Sequence, residues 1–204
     1  SNYTFAITCF SCKLHISLSN FKLRHICVFS IKKLMKSKEN LVFLGMMGSG
    51  KSTIGSIISK KLKLNFFDVD KVIENDQKME ISKIFETKGE SFFRQIEKKI
   101  TLNILRNRKS VIALGGGAFL NQDIKNEVLK NHLSFWLDWE IDTLINRIKN
   151  SKKRPLTLNI SKNQLVEIIK KRSIIYSKAL YKINCENLSK HEISKKIIKI
   201  YETH

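Results

Sequence analysis

A glycine-rich loop between a predicted strand and a predicted helix restricts the fold of this 204-residue chain more than any other feature. Residues 45–52 read G-M-M-G-S-G-K-S, which fits the pattern G-x-x-x-x-G-K-[S/T]. The apolar run NLVFLG at 40–45 predicts a buried strand before the loop, and residues 51–62 predict a helix after it. In that context backbone N–H groups surround a phosphate, and the positive end of the helix strengthens the attraction. The loop therefore predicts a nucleoside triphosphate site.

Strands and helices alternate along the rest of the chain from Glu39 onward. Such alternation predicts an α/β fold of three layers, in which helices cover both faces of a central parallel sheet of five strands. Ligands of these sheets gather at the carboxyl ends of the strands. Besides the first strand and helix, we predict strands at 65–70, 133–139 and 181–185, and a strand that runs into a glycine loop at 110–117. The further predicted helices are 81–106 (broken near Gly89), 121–131, 140–149, 161–180 and 188–202.

Two segments do not follow the alternation. Residues 150–160 predict a mobile lid within a folded domain that spans 39–204. Residues 1–38 contain no Asp or Glu and seven Lys or Arg. Three interpretations of this N-terminal extension stay open: sequence ahead of a true start at Met35, an organelle transit peptide, or a short extension on the surface. We expect a cytoplasmic protein unless residues 1–38 direct import into an organelle.

The formal net charge of +20 raises the question of a nucleic-acid or membrane partner. The lysines are scattered along the whole chain, and the sequence shows no basic stripe interleaved with aromatic residues, such as single-stranded nucleic acid requires. No apolar run approaches the roughly 18 residues of a membrane-spanning helix. We therefore expect neither a nucleic-acid nor a membrane partner.

The glycine-rich loop also names residues for the nucleotide and its metal. Lys51 would reach the β- and γ-phosphates, and the hydroxyl of Ser52 would ligate Mg²⁺. Motor ATPases, GTPases and small-molecule kinases share this loop. The sequence has no guanine-selecting N-K-x-D element and no hydrophobic strand that ends in DE, so a small-molecule kinase that uses ATP and Mg²⁺ is favoured.

Two carboxylates follow the second predicted strand. Asp68 and Asp70, in the sequence DVD, would project from one side of the strand end. One carboxylate would organise the waters of Mg²⁺, and the other would accept a proton from an attacking hydroxyl. Two solvated acids of a turn would show the same pattern, so this pair does not decide the function alone.

Four arginines lie where they would face one cleft, at positions 94, 147, 154 and 172. Arg94 shares a helix face with Glu97, three residues further on. The planar fork of an arginine binds a carboxylate or a phosphate through two hydrogen bonds. A single arginine of this kind is more often solvated, but the ordered set indicates a small acidic acceptor.

In the content and spacing of these motifs, the chain resembles the shikimate kinases over about residues 40–202. The resemblance implies the P-loop kinase fold, ATP-dependent phosphorylation of the 3-hydroxyl of shikimate in the biosynthesis of chorismate and aromatic amino acids, and a monomer. The matching motifs are GMMGSGKST (45–53), DVD (68–70), the run from Phe85 through Gly89 to FFRQIE (85–97), GGG (115–117), Arg147, RPL (154–156) and KRSIIY (171–176).

The same resemblance implies residue roles on the ATP side. Asp70, Lys51 and Arg154 would be catalytic: Asp70 would hold the reacting hydroxyl and take its proton, and Arg154, on the lid, would meet the transferring phosphate. Asp68 would act on Mg²⁺ through water, beside Ser52. The residues implied for ATP are Gly48, Ser49, Gly50, Lys51, Ser52, Thr53, Arg147, Arg154 and Pro155, of which Arg147 and Pro155 would flank adenine.

On the shikimate side, the resemblance implies that Arg94 and Arg172 clamp the carboxylate and that Glu97 orients Arg94. The glycine backbone would line the ring, and two phenylalanines would pack on its apolar face. The residues implied for shikimate are Asp70, Phe85, Phe93, Arg94, Glu97, Gly115, Gly116, Gly117 and Arg172.

Two other functions stay open. The first is a related kinase that phosphorylates gluconate or a nucleoside monophosphate, which Arg94, Arg172 and the GGG run argue against. The second is a catalytically silent relative that serves as a binding module, which intact Lys51 and Asp70 argue against.

Overall fold

The structure, a computed structural model, describes residues 40–149 and 161–204. The predictions for residues 1–38 and for the lid at 150–160, including Arg154 and Pro155, lie outside this range. Within it, five parallel strands form one sheet in the order β2-β3-β1-β4-β5, which confirms the predicted fold class. The strands are β1 (Leu41–Leu44), β2 (Asn65–Asp68), β3 (Ser110–Ala113), β4 (Leu133–Asp138) and β5 (Tyr181–Asn184).

Seven α-helices accompany the sheet within the described residues. The central strands β1 and β3 are buried at every position, as expected where helices cover both faces of a sheet. None of the described helices combines the length and the apolar character needed to cross a membrane. The helices are α1 (Lys51–Leu62), α2 (Val69–Gln77), α3 (Ile81–Leu105), α4 (Gln122–Asn131), α5 (Ile141–Lys149), α6 (Lys162–Tyr176) and α7 (Lys190–Thr203).

The strand predicted at 65–70 is shorter than expected, and helix α2 was not predicted. β2 ends at Asp68 because it pairs with β3, whose last residue, Ala113, lies opposite Asp68. The chain then enters α2 at Val69. Asp70 therefore lies in the first turn of a helix, and the prediction that Asp68 and Asp70 project from one side of a strand end is wrong.

Gly89 interrupts α3, as predicted. Its backbone has φ +81° and ψ 170°, in a region that side chains disfavour. A Cβ atom there would meet no atom within 4 Å, so glycine is needed for the backbone angle rather than for space. The break separates the first turns of α3 from the part that carries Arg94 and Glu97.

His132 makes the stability of the fold depend on pH. Its side chain is 6% exposed, and its Nε2 lies 3.6 Å from the carboxylate of Glu127, too far for a hydrogen bond. In the described part of the chain neither ring nitrogen has a hydrogen-bond partner. Burial lowers the pKa of His132, and the charge of Glu127 offsets only part of that effect. The unfolded chain therefore binds a proton more readily than the folded one just below pH ~6.5.

We expect the free energy of unfolding to fall as the pH drops below about 6.5 and through the lowered pKa of His132. His132→Leu should make this decline shallower, because leucine carries no proton in either state. Urea unfolding at pH 7.5 and at pH 5.5 measures the change. His191→Leu, at an exposed position of α7, controls for the loss of a histidine. An unchanged decline in His132→Leu would contradict the assignment.

Candidate active site

A cavity of about 300 Å³ lies where β1, β2 and β3 end. It brings together the glycine-rich loop, both aspartates of the DVD sequence and the GGG run, which lie far apart in the sequence. This is the strand edge at which ligands of parallel α/β sheets bind. The lining residues are Met47, Gly48, Gly50, Lys51, Ser52, Thr53, Asp68, Asp70, Leu114 and Gly116.

The glycine-rich loop forms the floor of this cavity. Gly50 has φ +90° and caps the N-terminus of α1. Lys51 is 9% exposed, and its Nζ donates hydrogen bonds to the carbonyls of Gly45 (2.9 Å) and Met46 (3.0 Å). The ammonium group therefore lies against the loop, where a phosphate would bind. The side chain of Ser49 is fully buried, so this residue would contact a ligand only through its backbone.

Asp70 lies in the same cavity as Lys51. Burial raises the pKa of its carboxyl to about 6; Lys51 acts against the rise, while the carboxylates of Asp68, Glu97 and Glu74 add to it. A carboxylate with a raised pKa is a better proton acceptor near neutral pH. The carboxylate of Asp70 is therefore suited to take a proton from a hydroxyl group.

Arg94 is held by two glutamates of α3. Its Nη1 donates to Oε2 of Glu97 at 2.6 Å, and its Nε and Nη2 donate to Oε1 of Glu90, each at 3.2 Å. Glu97 is only 4% exposed; burial raises its pKa, and the bond to Arg94 acts against that rise. Sequence reasoning missed Glu90, although its spacing of four residues from Arg94 is a sign of such a pair.

Two of the three glycines of the GGG run lie close to charged side chains. A Cβ atom on Gly115 would lie 2.7 Å from Oδ1 of Asp70 and 2.7 Å from Oε1 of Glu97. One on Gly117 would lie 2.5 Å from Nη1 of Arg94. A side chain at either position would displace these carboxylates or the guanidinium, so glycine leaves the charged groups where they are. Gly115 also shows that Asp70 and Glu97 are neighbours.

Arg172, on α6, lies next to the GGG run. Its Nη1 lies 3.5 Å from the carbonyl of Gly116 and 3.9 Å from the sulfur of Met46. The hydroxyl of Tyr176 donates to the same carbonyl. The positive charge of Arg172 also acts on Glu97, where it favours the ionised form. Two arginines therefore converge near Glu97 and the GGG run. Tyr176 ends the KRSIIY motif, but the sequence did not indicate a role for it.

The two predicted aromatic residues form a pair next to Arg94. The ring centroids of Phe85 and Phe93 are 4.6 Å apart, and the guanidinium carbon of Arg94 lies 5.2 Å from the centroid of Phe93. Phe93 is buried and Phe85 is half-buried. An apolar surface therefore adjoins the cationic group.

Arg147 contacts the ring of a tryptophan that bonds to the glycine-rich loop. Its guanidinium carbon lies 3.5 Å from the ring centroid of Trp139, and the indole N–H of Trp139 donates to the carbonyl of Ser49 at 3.0 Å. Arg147 therefore lies beside the glycine-rich loop. Trp139 was predicted only as the end of a strand, and no sequence signal indicates its contact with a loop 90 residues away.

Comparison with known proteins points to one family. A family model described as shikimate kinase matches residues 47–202. The shikimate kinase of Bartonella henselae is 39% identical over 180 residues, which cover 86% of each chain. The enzyme of Bacillus subtilis is 38% identical over 169 residues, which cover 79% of this chain and 88% of the relative.

Solved structures agree with the sequence relatives. Shikimate kinase from Acinetobacter baumannii in complex with shikimate superposes with a TM-score of 0.77 at 26% identity, over 84% of this chain and 97% of that one. The enzyme from Aquifex aeolicus gives a TM-score of 0.72 at 32% identity, over 80% of this chain and 96% of that one. Deoxyadenosine kinase from M. mycoides gives 0.57 at 19% identity, over 81% of this chain and 100% of that one, a likeness of fold alone.

Proposed function

The chain belongs to the shikimate kinase family, and we propose that it transfers the γ-phosphate of ATP to the 3-hydroxyl of shikimate, giving ADP and shikimate 3-phosphate. This reaction serves the biosynthesis of chorismate and aromatic amino acids. One observation carries the proposal: Asp70 lies in the cavity of the phosphate loop and also adjoins, across Gly115, the Glu97 that holds Arg94. A base placed between a phosphate site and a carboxylate site suits a small acceptor with a hydroxyl at one end and a carboxylate at the other.

On the donor side, the chain supplies positioning and positive charge. The backbone of Gly48 and Gly50 and the N-terminus of α1 would hold the β-phosphate, and Lys51 would turn its ammonium group from the loop carbonyls to the phosphates. Phosphoryl transfer depends mainly on such positioning and charge neutralisation. Ser52 and Thr53 are exposed residues that line the cavity, so both are accessible to the triphosphate.

On the acceptor side, Arg94 and Arg172 would bind the carboxylate of shikimate. Arg94 is fixed in direction by Glu97 and Glu90, yet 36% of its side chain stays exposed, so it can still bind a ligand. The pair of Phe85 and Phe93 would pack against the ring. Asp70 would hold the 3-hydroxyl and take its proton as the oxygen attacks the γ-phosphate.

Magnesium fits the oxygen donors of the cavity. The Ser52 hydroxyl and, through water, the Asp68 carboxylate would hold it, and both residues line the same space. Mg²⁺ prefers oxygen ligands and keeps several waters in sites that it shares with substrate phosphates. When bound, it neutralises charge on the phosphate oxygens.

Three further assignments stay predictions. Arg154 would meet the transferring phosphate from the lid, and Pro155 would flank adenine with Arg147; Arg154 and Pro155 lie outside the described residues. We also expect a monomer.

Arg94→Ala should weaken the binding of shikimate much more than that of ATP. Because hydrogen bonds to charged groups contribute about 1.5–3 kcal/mol each, we expect the KM for shikimate to rise by about 10- to 100-fold and the KM for ATP to change little. Steady-state kinetics with each substrate varied in turn measures the two constants. Arg106→Ala, at an exposed position after the end of α3, is the matched control. An unchanged KM for shikimate would refute the clamp.

A coupled assay of ADP release with different acceptors tests the proposed function. We expect rapid release with shikimate, slower release with quinate, and background release with gluconate and with nucleoside monophosphates. Release with gluconate or a nucleoside monophosphate alone would support the related-kinase alternative. Nucleotide binding without release for any acceptor would support the silent relative.

A further inference from the structure

Trp139 connects the end of β4 to the glycine-rich loop. It directly follows Asp138, the last residue of that strand, and is 9% exposed. Its indole N–H donates to the carbonyl of Ser49 at 3.0 Å in a buried hydrogen bond. By contrast, Lys51 bonds to carbonyls within the loop itself. The indole therefore fixes the loop to the sheet at one peptide group.

That peptide group joins Ser49 to Gly50, and its orientation matters for a phosphate. A trans peptide is planar, so its carbonyl and its N–H point in opposite directions. The carbonyl of Ser49 points at Trp139, so the N–H of Gly50 points away from the indole. Gly50 lines the cavity and caps the N-terminus of α1, where free N–H groups attract anions.

The hydrogen bond from Trp139 matters because the next residue of the loop, Gly50, is conformationally free. Gly50 has φ +90° and is the N-cap residue of α1, where it offers no side chain to accept a hydrogen bond from the first N–H groups of the helix. Glycine also moves between backbone conformations more easily than any other residue. The Trp139 bond limits that freedom on the N-terminal side of Gly50. A preorganised donor binds its ligand more tightly than one that must first be ordered.

The face of the indole ring contacts a cation, the guanidinium group of Arg147. The guanidinium carbon of Arg147 lies 3.5 Å from the ring centroid, a contact that stabilises a cation over an aromatic face. Arg147 itself is exposed. The indole thus keeps a positive charge beside the loop while its N–H holds the loop carbonyl.

We propose that Trp139 is a positioning residue for the nucleotide: its indole orients the Ser49–Gly50 peptide toward the phosphates, holds Arg147 next to the glycine-rich loop, and changes its fluorescence when a nucleotide binds. The inference rests on the proposed function only in that a nucleotide binds the loop. It does not depend on which acceptor is phosphorylated.

The test compares Trp139→Phe with Trp136→Phe, which removes the other tryptophan of the chain, a buried residue of β4. Trp139→Phe keeps an aromatic face for Arg147 but loses the N–H donor. We expect its Kd for Mg²⁺-ADP, measured by calorimetry without shikimate, to rise about tenfold. The Kd of Trp136→Phe should stay within about twofold of the wild-type value, and Trp139→Phe should leave the KM for shikimate unchanged.

Fluorescence gives a second readout that does not require Trp139→Phe to fold. In Trp136→Phe the only tryptophan is Trp139, and we expect its emission to change as Mg²⁺-ADP is added, with the Kd found by calorimetry. In Trp139→Phe that signal should be lost. A wild-type Kd in Trp139→Phe, or constant emission from Trp136→Phe at saturating ADP, would overturn this inference alone. A wild-type chain that binds no ADP would overturn both this inference and the proposed function.

Discussion

Lys51→Ala is expected to lower kcat by about 10³-fold, because removal of one preorganised group that stabilises transition-state charge typically has an effect of that size. The ammonium group is buried at the loop, 2.9 Å from the carbonyl of Gly45, and no other described lysine lines the cavity. Its loss also removes the charge that lowers the pKa of Asp70. The variant thus loses phosphate stabilisation and shifts its base further toward the protonated form.

Steady-state kinetics at saturating ATP and shikimate measures this effect, and circular dichroism shows whether the fold is kept. Lys60→Ala, at an exposed position near the end of the same helix, is the matched control and should keep wild-type turnover. Turnover of Lys51→Ala within a few-fold of wild type would show that the loop does not act on the transferring phosphate.

Asp70→Asn is expected to lower kcat by about 10²- to 10⁴-fold, the usual contribution of a general base. Asparagine has nearly the same shape and can still contact the acceptor hydroxyl, but it cannot take a proton. We therefore expect the KM for ATP and for shikimate to change much less than kcat. Because burial raises the pKa of the Asp70 carboxyl and so disfavours its charge, the neutral side chain should not destabilise the fold.

The control for this variant is Asp76→Asn, on the same helix but exposed. It should leave kcat unchanged. Turnover of Asp70→Asn close to that of Asp76→Asn would mean that the proton leaves to water or to the phosphate itself, and that Asp70 only positions the acceptor.

Local sequence patterns were sufficient to predict most of the architecture. The helix at 51–62 has the predicted ends, and the break at Gly89 lies where it was expected. Both features depend on short-range chemistry: a glycine-rich loop that opens a helix, and a glycine whose backbone angle interrupts one. The start of α2 could not be predicted in this way, because β2 ends where its partner β3 ends, and that pairing is a long-range contact.

The candidate site likewise contains residues that sequence motifs indicated and residues that they did not. Motif spacing indicated Lys51 and Asp70 as residues of one site, and both line one cavity. The spacing did not indicate Trp139, whose hydrogen bond reaches Ser49 across 90 residues. It also did not indicate that Arg147 would pack on the ring of Trp139, because the direction of a side chain at the end of a helix depends on its neighbours in space.

The most direct test of the central claim is to identify the reaction product. We would record ³¹P NMR spectra while the purified chain is incubated with Mg²⁺-ATP and shikimate. We predict one new phosphomonoester for each ADP formed, with its phosphorus coupled to the proton on carbon 3 of shikimate. Formation of ADP with inorganic phosphate alone, or a phosphate coupled to the proton of another carbon, would contradict the account.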